Sequence, residues 1–367
     1  VTPRVGGAAT LRIGIAGFGR VAERFHLPAL SRLASAGEAI RLDAVADPRA
    51  EARRSPALAG VRALASAEEL VRSGLVDAVI VATPAETHAE VASVALRAGL
   101  PVLVEKPLAR SIVEGEALRD AARSTDAALM VGFNRRLWDP VRVLASALGV
   151  TDGASGPGAS ASARTEARSG AVASARTAAD AASGAPDPPM SARLVFDTDV
   201  RSWGAATGLG DALEDLVSHQ LDLLRHLFRR EIETVRAEPG ADHRAVVAVR
   251  LGGGVRAECR ASQRARYREE ISVSRGEARW LLRSGSDRIA PAGTVRAALD
   301  AADRVRSRLG RRVPALSRSF DAQLRAFCAA VRTGAPPVPG LDDGLAVLRA
   351  VEAARRSAAA GGVEERP

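Results

Sequence analysis

The sequence predicts an α/β protein, with an N-terminal doubly wound parallel sheet and a C-terminal α+β domain on a mainly antiparallel sheet. Three observations predict it. From residue 11 to residue 133, apolar runs of strand length alternate with segments of helical pattern. Runs that are apolar throughout belong to strands buried on both faces of a parallel sheet. Over 192–203 and 231–282, strand-like segments instead follow one another closely, the order of antiparallel pairing. Between these two patterns, residues 150–190 are almost wholly Ala, Ser, Gly, Thr, Pro and Arg. A chain of 367 residues has room for two or three domains.

Taken in order, LRIGIAG (11–17) is an apolar strand ending at glycine, and residues 20–35 follow as a helix. RLDAVAD (41–47) is the second strand. SAEELVRSG (66–74) is a short helix with Ser66 as its N-cap and Gly74 as its stop. VDAVIVATP (76–84) is a strand, ETHAEVASVALRAG (86–99) a helix that again runs into glycine, and PVLVEKP (101–107) a strand. SIVEGEALRDAARST (111–125) is a helix and ALMVGF (128–133) a strand. Residues 150–190 carry too few large apolar side chains to bury a core and are expected to be a disordered insertion. Beyond them, SARLVFDTDV, IETVRAE, RAVVAVRL, VRAECRAS, EEISVSR and ARWLLR are strands, with GGG at 252–254 and RGEA at 275–278 as hairpin turns. DALEDLVSHQLDLLRHLF (211–228) is a strong helix. From about residue 317 the chain is helical again, through FDAQLRAFCAAVRTG and LDDGLAVLRAVEAARRSAAA.

Composition narrows the function. Apolar residues make up 47% and charged residues 26%, an ordinary globular balance. Aromatics are only 3%, so the core is built from Ala, Val and Leu. The net charge is +9, but the arginines are scattered among Asp and Glu. With no basic run and no aromatic platform, a nucleic-acid partner is not expected. No stretch is long and apolar enough for a membrane span, and no signal peptide is expected. The two cysteines, Cys259 and Cys328, are far apart and in no metal-like spacing. Buried thiols in a reducing, cytoplasmic setting are expected, and no metal site.

Three motifs carry chemistry. The first is IAGFGRVAE, with Gly17-x-Gly19-x-x-Ala22 between a strand and a helix. Gly17 permits a tight turn, Gly19 lets a pyrophosphate approach the backbone, and Ala22 lets helix and strand pack closely. The opening amides of the helix, through Phe18, Arg20 and Val21, would face the phosphates. Asp47 ends the second strand, where a carboxylate pairs with ribose hydroxyls. It favours NAD, while Arg49, Arg53 and Arg54 keep NADP as the alternative. The domain is therefore expected to be a Rossmann fold.

The second motif is Glu105-Lys106-Pro107. Lys106 is the only lysine among 52 Lys+Arg. A surface cation could as well be Arg, as it is 51 times elsewhere. A lysine is a compact donor that can share or lose its proton, and arginine is not. The position, at the C-terminal end of a parallel strand, is the ligand edge of an open α/β sheet. The third motif is on helix 211–228, where Asp215, His219, Asp222 and His226 fall on one polar face. A solvated face is the simplest reading of such a helix. An Asp one turn from a His can also orient a general base.

Together these stretches resemble the Gfo/Idh/MocA oxidoreductase family. The matching segments are GFGRVAERFHLPAL, VDAVIVATPAETHAEVASVALRAGLPVLVEKPLA, MVGFNRR, GDALEDLVSHQLDLL and the C-terminal FDAQLRAFCAAVRTGAPP with DDGLAVLRAVEAA. The resemblance implies catalytic roles for Lys106, Asp215 and His219, with Arg135 also at the substrate. Thr83, Pro84 and His88 match a loop that borders the cofactor, beside Glu105 and Lys106. The family's Asp-x-Gly-x-His carries Val217 in place of its glycine. The implied function is NAD(P)-dependent oxidation of a secondary hydroxyl, or the reverse, on a sugar, nucleotide sugar or cyclitol. A non-catalytic dinucleotide- or sugar-binding regulator of the same fold is the alternative. The expected domains are 9–133, binding NAD(P), and 134–350, binding substrate and forming a homo-oligomer through the C-terminal sheet.

Overall fold

The computed structural model describes residues 9–150, 189–203, 210–240, 242–283 and 315–367. The expected insertion at 150–190, apart from its ends, lies outside the described residues. The chain divides into two compact units. The first holds the described residues of Val1–Leu137, Ala205–Gly210 and Leu316–Arg349, and the second those of Trp138–Gly204, Asp211–Ala315 and Ala350–Pro367.

The first unit is a six-stranded sheet of β1 (Leu11–Ala16), β2 (Ile40–Ala46), β3 (Arg62–Leu64), β4 (Ala78–Val81), β5 (Val102–Val104) and β6 (Leu129–Val131). The strand order is β3-β2-β1-β4-β5-β6, and every pair is parallel. This is the doubly wound arrangement the alternation predicts, with the switch in strand order between β1 and β4. The three-residue β3 was not foreseen, since a strand so short shows no period. The helices are α1 (Leu27–Ser35), α2 (Ala50–Arg53), α3 (Ala67–Arg72), α4 (His88–Arg97) and α5 (Ile112–Thr125). One π-helical turn, Ala22–His26, precedes α1.

Local chemistry sets the helix ends. Ser66 Oγ accepts the Glu69 N–H at 3.2 Å, and Ser111 Oγ accepts the Glu114 N–H at 3.2 Å. In both Ser-x-x-Glu boxes the glutamate reaches back, to the Ala65 amide at 2.8 Å and the Arg110 amide at 2.9 Å. Such caps are each worth about 1 kcal/mol. The sheet core is Leu11, Ile13 and Ile15 with Ile80, Leu103 and Met130, covered by Leu30 and Leu33 of α1.

The second unit is also a six-stranded sheet: β7 (Met190–Asp199), β8 (Ile232–Ala237), β9 (Arg244–Leu251), β10 (Val255–Ser262), β11 (Arg264–Arg275) and β12 (Ala278–Arg283). The order is β12-β11-β7-β10-β9-β8. Only β7 and β10 pair in parallel; the other pairs are antiparallel. The GGG and RGEA segments turn β9 into β10 and β11 into β12. Val247, Val249 and Cys259 face inward and Arg250, Arg256 and Arg260 outward, the alternation of a sheet with one solvated face. The helices here are α6 (Asp139–Ala147) and α7 (Ser218–Phe228), with a second π-helical turn, Leu213–Val217, leading into α7.

The C-terminal helices are α8 (Ala315–Thr333) and α9 (Leu341–Ala359). The sequence assigns 134–350 to the second domain, whereas by packing 316–349 belong to the first unit. The reason is the apolar face of α8. Phe320, Leu324, Phe327 and Cys328 enter the same core as Leu11, Ile13 and Ile15, and each large side chain so buried contributes about 1.5–3 kcal/mol.

Candidate active site

In the first unit the residues expected to form the site stand on the C-terminal edge of one sheet. Gly17 follows β1, Asp47 follows β2, Thr83 follows β4, Glu105 and Lys106 follow β5, and Arg135 follows β6. Hydrogen bonds continue the ladder past the strand ends: Gly17 N–H to Ala46 O at 2.7 Å, Ala82 N–H to Ala16 O at 2.8 Å and Glu105 N–H to Val81 O at 2.9 Å. The loops are therefore anchored at their roots.

Gly17 has φ +88°, and a Cβ there would lie 2.7 Å from Ala82 O and from Thr83 N. Only glycine fits. At Gly19 a Cβ would meet nothing within 4 Å, so the backbone faces open space just where the chain turns into helix, with Glu23 N–H bonded to Gly19 O at 3.0 Å. The first amides of a helix have no intrahelical acceptor, and an anion can take them. Thr83 Oγ1, beside Gly17, is buried and unpartnered. A cradle open at Gly19, an unsatisfied hydroxyl and a carboxylate at the end of β2 fit a dinucleotide.

Asp47 is held from three sides. Its carboxylate accepts the Phe18 N–H at 2.8 Å, the Arg49 N–H at 2.9 Å and the Arg49 guanidinium at 2.9 and 3.0 Å. Arg49 also reaches Phe18 O at 3.2 Å. Burial raises the Asp47 pKa, but the hydrogen bonds from Arg49 and Phe18 outweigh it and hold the carboxyl below its ordinary value. The glycine loop is thus tied to the end of β2 by a charged group.

Glu105 and His26 form a buried pair, Nε2 to Oε1 at 2.8 Å. His88, at the start of α4, has Nδ1 2.7 Å from Pro107 O and Nε2 2.9 Å from Thr83 O. Both its ring nitrogens are engaged by the protein backbone. Arg135 Nη1 is 3.5 Å from Asn134 Oδ1, and Asn134 donates to Ser319 Oγ at 3.1 Å.

In the second unit, Asp215 lies within the π-helical turn and His219 in the first turn of α7. Of the two readings of this polar face, the solvated one does not hold. Asp215, His219, Asp222 and His226 are all buried, as is Gln220. The helix is enclosed on its polar side too, so its polar groups require partners within the protein. One is Gln263, whose amide donates to Asp215 Oδ2 at 3.1 Å. Val217, at the family's glycine, is fully buried.

Two family models match this chain. One, an oxidoreductase family with an NAD-binding Rossmann fold, covers residues 11–133; the other, the C-terminal α/β domain of the same oxidoreductase family, covers 193–364.

The chain belongs to the Gfo/Idh/MocA oxidoreductase family.

Family relatives match over about a third of this chain. The rhizopine catabolism protein MocA of Rhizobium meliloti is 36% identical over 126 residues, 34% of this chain and 38% of that protein. An inositol 2-dehydrogenase of Leifsonia xyli is 34% identical over 136 residues, 36% of this chain and 39% of that protein. These matches span about two fifths of the relatives' length. In overall fold the chain resembles the WlbA dehydrogenase of Bordetella pertussis, solved with NADH and UDP-GlcNAcA, at TM-score 0.73 and 18% identity, covering 98% of each chain.

As a Gfo/Idh/MocA protein, the chain carries its expected cofactor residues together on one sheet edge. Two further residues escaped the sequence reading. His26 had a weak signal, being one of five histidines and lying just past the glycine loop. Gln263 had none. Among the described residues, no group of three His, Cys, Asp or Glu is placed to hold a metal, and no helix is long and apolar enough to cross a membrane.

Proposed function

We propose that this chain is an NAD(P)-dependent dehydrogenase acting on a secondary hydroxyl of a sugar, nucleotide sugar or cyclitol. The observation that carries the reading is Lys106, the single lysine, set just past β5 on the ligand edge of the sheet. The relatives' names, an inositol 2-dehydrogenase and a dehydrogenase solved with a nucleotide sugar, support the substrate class.

The Gly17–Ala22 turn would hold the pyrophosphate of NAD, Asp47 the ribose hydroxyls, and the Thr83–Pro84 loop the nicotinamide end. NAD, when bound, supplies the hydride acceptor. His219 takes the hydroxyl proton as general base, with Asp215 orienting its ring and Gln263 holding Asp215 in turn. Lys106 donates a hydrogen bond to the reacting oxygen and steadies the negative charge that develops on it. Arg135 binds a substrate hydroxyl. A second copy of the chain, docked through the outward face of β7–β12, completes the assembly; light scattering at one mass only would remove that part.

The test is a screen of sugars and cyclitols by NAD(P)H absorbance, repeated with Lys106→Arg. That change keeps the charge but moves the donors and cannot release a proton. Turnover is expected to fall about a hundredfold or more while NADH binding persists. Near-normal turnover in Lys106→Arg would refute the catalytic reading of this lysine and favour a binding protein.

A further inference from the structure

We propose that His26 and His88 are positioning residues for Lys106: two buried imidazoles, from two different βα segments, clamp the residues on either side of it. The proposal deepens the dehydrogenase reading, on which its kinetic arm rests.

The need for a clamp follows from the strand. β5 is only three residues long and ends at Val104, and the ladder's last hydrogen bond there is Glu105 N–H to Val81 O, so Lys106 stands one residue beyond it. Its long side chain has about 2 kcal/mol of rotamer entropy, and a donor displaced by 1 Å can cost about a hundredfold in rate. The ladder anchors only the near side of it, so the flanking residues must also be fixed by something besides the sheet.

Three contacts fix it. Glu105 is seated against Gly132, where a Cβ would fall 2.8 Å from Glu105 Oε2 and 3.0 Å from its Cα. Its other oxygen, Oε1, lies 2.8 Å from His26 Nε2. His26 is fully buried, and its ring stands edge-on to Phe320 with centroids 5.2 Å apart. Its Nδ1 is buried without a hydrogen-bond partner. An unpaired buried N–H is rarer than an unpaired acceptor, so Nε2 is the nitrogen that donates to the carboxylate. On the other side, His88 Nδ1 lies 2.7 Å from Pro107 O and its Nε2 2.9 Å from Thr83 O; both are carbonyl acceptors, so a neutral ring donates to one of them, and Pro107 O is the nearer.

The consequence is mechanical. His26 closes the π-helical turn that follows the Gly17–Gly19 loop, and His88 opens the helix after the Thr83–Pro84 loop. Each histidine thus ties a cofactor-side loop to the loop bearing Lys106. An imidazole suits both places: it is flat, it fills an apolar site, and it presents a polar atom at fixed reach. Neither ring touches the reacting atoms in this scheme. They set where the amine points.

The two side-chain amides that mimic the two ring nitrogens make a reciprocal test. Glutamine carries its amide N–H about as far out as Nε2, and asparagine about as far as Nδ1. His26→Gln retains the reach to Glu105 and His26→Asn loses it. His88→Asn retains the reach to Pro107 and His88→Gln loses it. Because Lys106 is the only lysine, reductive methylation with 13C-formaldehyde labels it and a chain-terminal amine alone. The Lys106 methyl resonance then reports its surroundings with no turnover required.

The expected result is a crossed pattern. In His26→Gln and His88→Asn the methyl shift stays at its wild-type value. In His26→Asn and His88→Gln it moves toward the value of the urea-unfolded chain. With a substrate in hand, kcat falls about 10–100-fold in His26→Asn and not in His26→Gln, while NADH affinity and substrate KM stay within about threefold in both; the His88 pair is read by the methyl signal alone. An unchanged methyl signal in all four folded variants would overturn the proposal. So would losses that follow melting temperature without the crossing, since those mark a packing role. Should no sugar or cyclitol be turned over, the dehydrogenase reading fails, and the methyl signal alone decides whether the histidines place the lysine.

Discussion

Gly17 and Gly19 stand two residues apart and serve different ends. Gly17 is required by the fold: at φ +88° with backbone atoms 2.7 Å from the missing Cβ, Gly17→Ala forces strain of about 1–3 kcal/mol and lowers the melting temperature before any ligand is added. Gly19 is not required by the fold, and in the proposed reading it serves the ligand. Open space surrounds its missing Cβ, so Gly19→Val should melt near the wild type yet bind NADH at least about tenfold more weakly in a calorimetric titration, a loss of roughly 1.4 kcal/mol. Equal NADH affinity would mean that the pyrophosphate lies elsewhere. Asp47→Ser has two effects. It removes the repulsion of a 2′-phosphate and releases Arg49, which now forks onto the carboxylate, so the ratio of NADP to NAD affinity should rise. Glycines, Asp47 and Lys106 were legible because their chemistry is local. His26 and Gln263 were not, because their partners Glu105 and Asp215 are 79 and 48 residues away.

At the scale of elements, β1 and β4 meet at the switch in strand order and are pinned at their far end by Arg12 and Asp77. The Asp77 carboxylate accepts the Arg12 N–H at 2.8 Å and its guanidinium at 2.6 and 3.1 Å. Burial raises the Asp77 pKa, and the Arg12 hydrogen bonds outweigh it and lower it overall. A folded pKa below the unfolded one stabilises at pH values above the unfolded pKa, and the stabilisation is lost as pH falls through the folded value. Asp77→Asn should therefore cost about 1–2 kcal/mol at neutral pH, and the gap in melting temperature should close below about pH 4. A gap independent of pH would show that packing, not the charge, is what the substitution removes. The π-helical turn at Ala22–His26 ends on His26 itself, and the one at Leu213–Val217 leads into the helix that carries His219. Helical periodicity was visible in both segments, but a hydrophobic pattern does not distinguish a π turn from an α turn over five residues. Such turns occur frequently at functional sites.

At the scale of the whole chain, the loop-rich composition of residues 150–190 leads to a prediction independent of their structure. They contain hardly a large apolar side chain, and changing a loop's length twofold costs only about 0.6 kcal/mol. Deleting residues 153–186 should leave the melting temperature within a few degrees and NADH affinity unchanged. Lost expression would show that the segment packs. The two thiols are a second whole-chain marker. Cys259 and Cys328 are unpaired and buried, and burial pushes the Cys328 thiol up to about 12. Neither should react with a thiol reagent until the chain unfolds.

What the sequence by itself determined is what depends on neighbours along the chain. Apolar runs such as VDAVIVATP define strands, serines followed three residues on by glutamate define helix starts, and Gly17-x-Gly19 defines a turn that only glycine can make. The family, the two sheets and the lone lysine all follow from such local signals. What only the tertiary structure decided is which distant segments share a core. α8 reads in sequence as the close of the second domain, yet Phe320 and Phe327 are buried in the same core cluster as Leu11, Ile13 and Ile15. For Asp215, His219, Asp222 and His226 the sequence left a solvated stripe and a general-base pair both open, and the structure encloses all four. A periodicity records which residues share one face of an element but not what covers that face, because burial is settled by the free energy of the assembled chain.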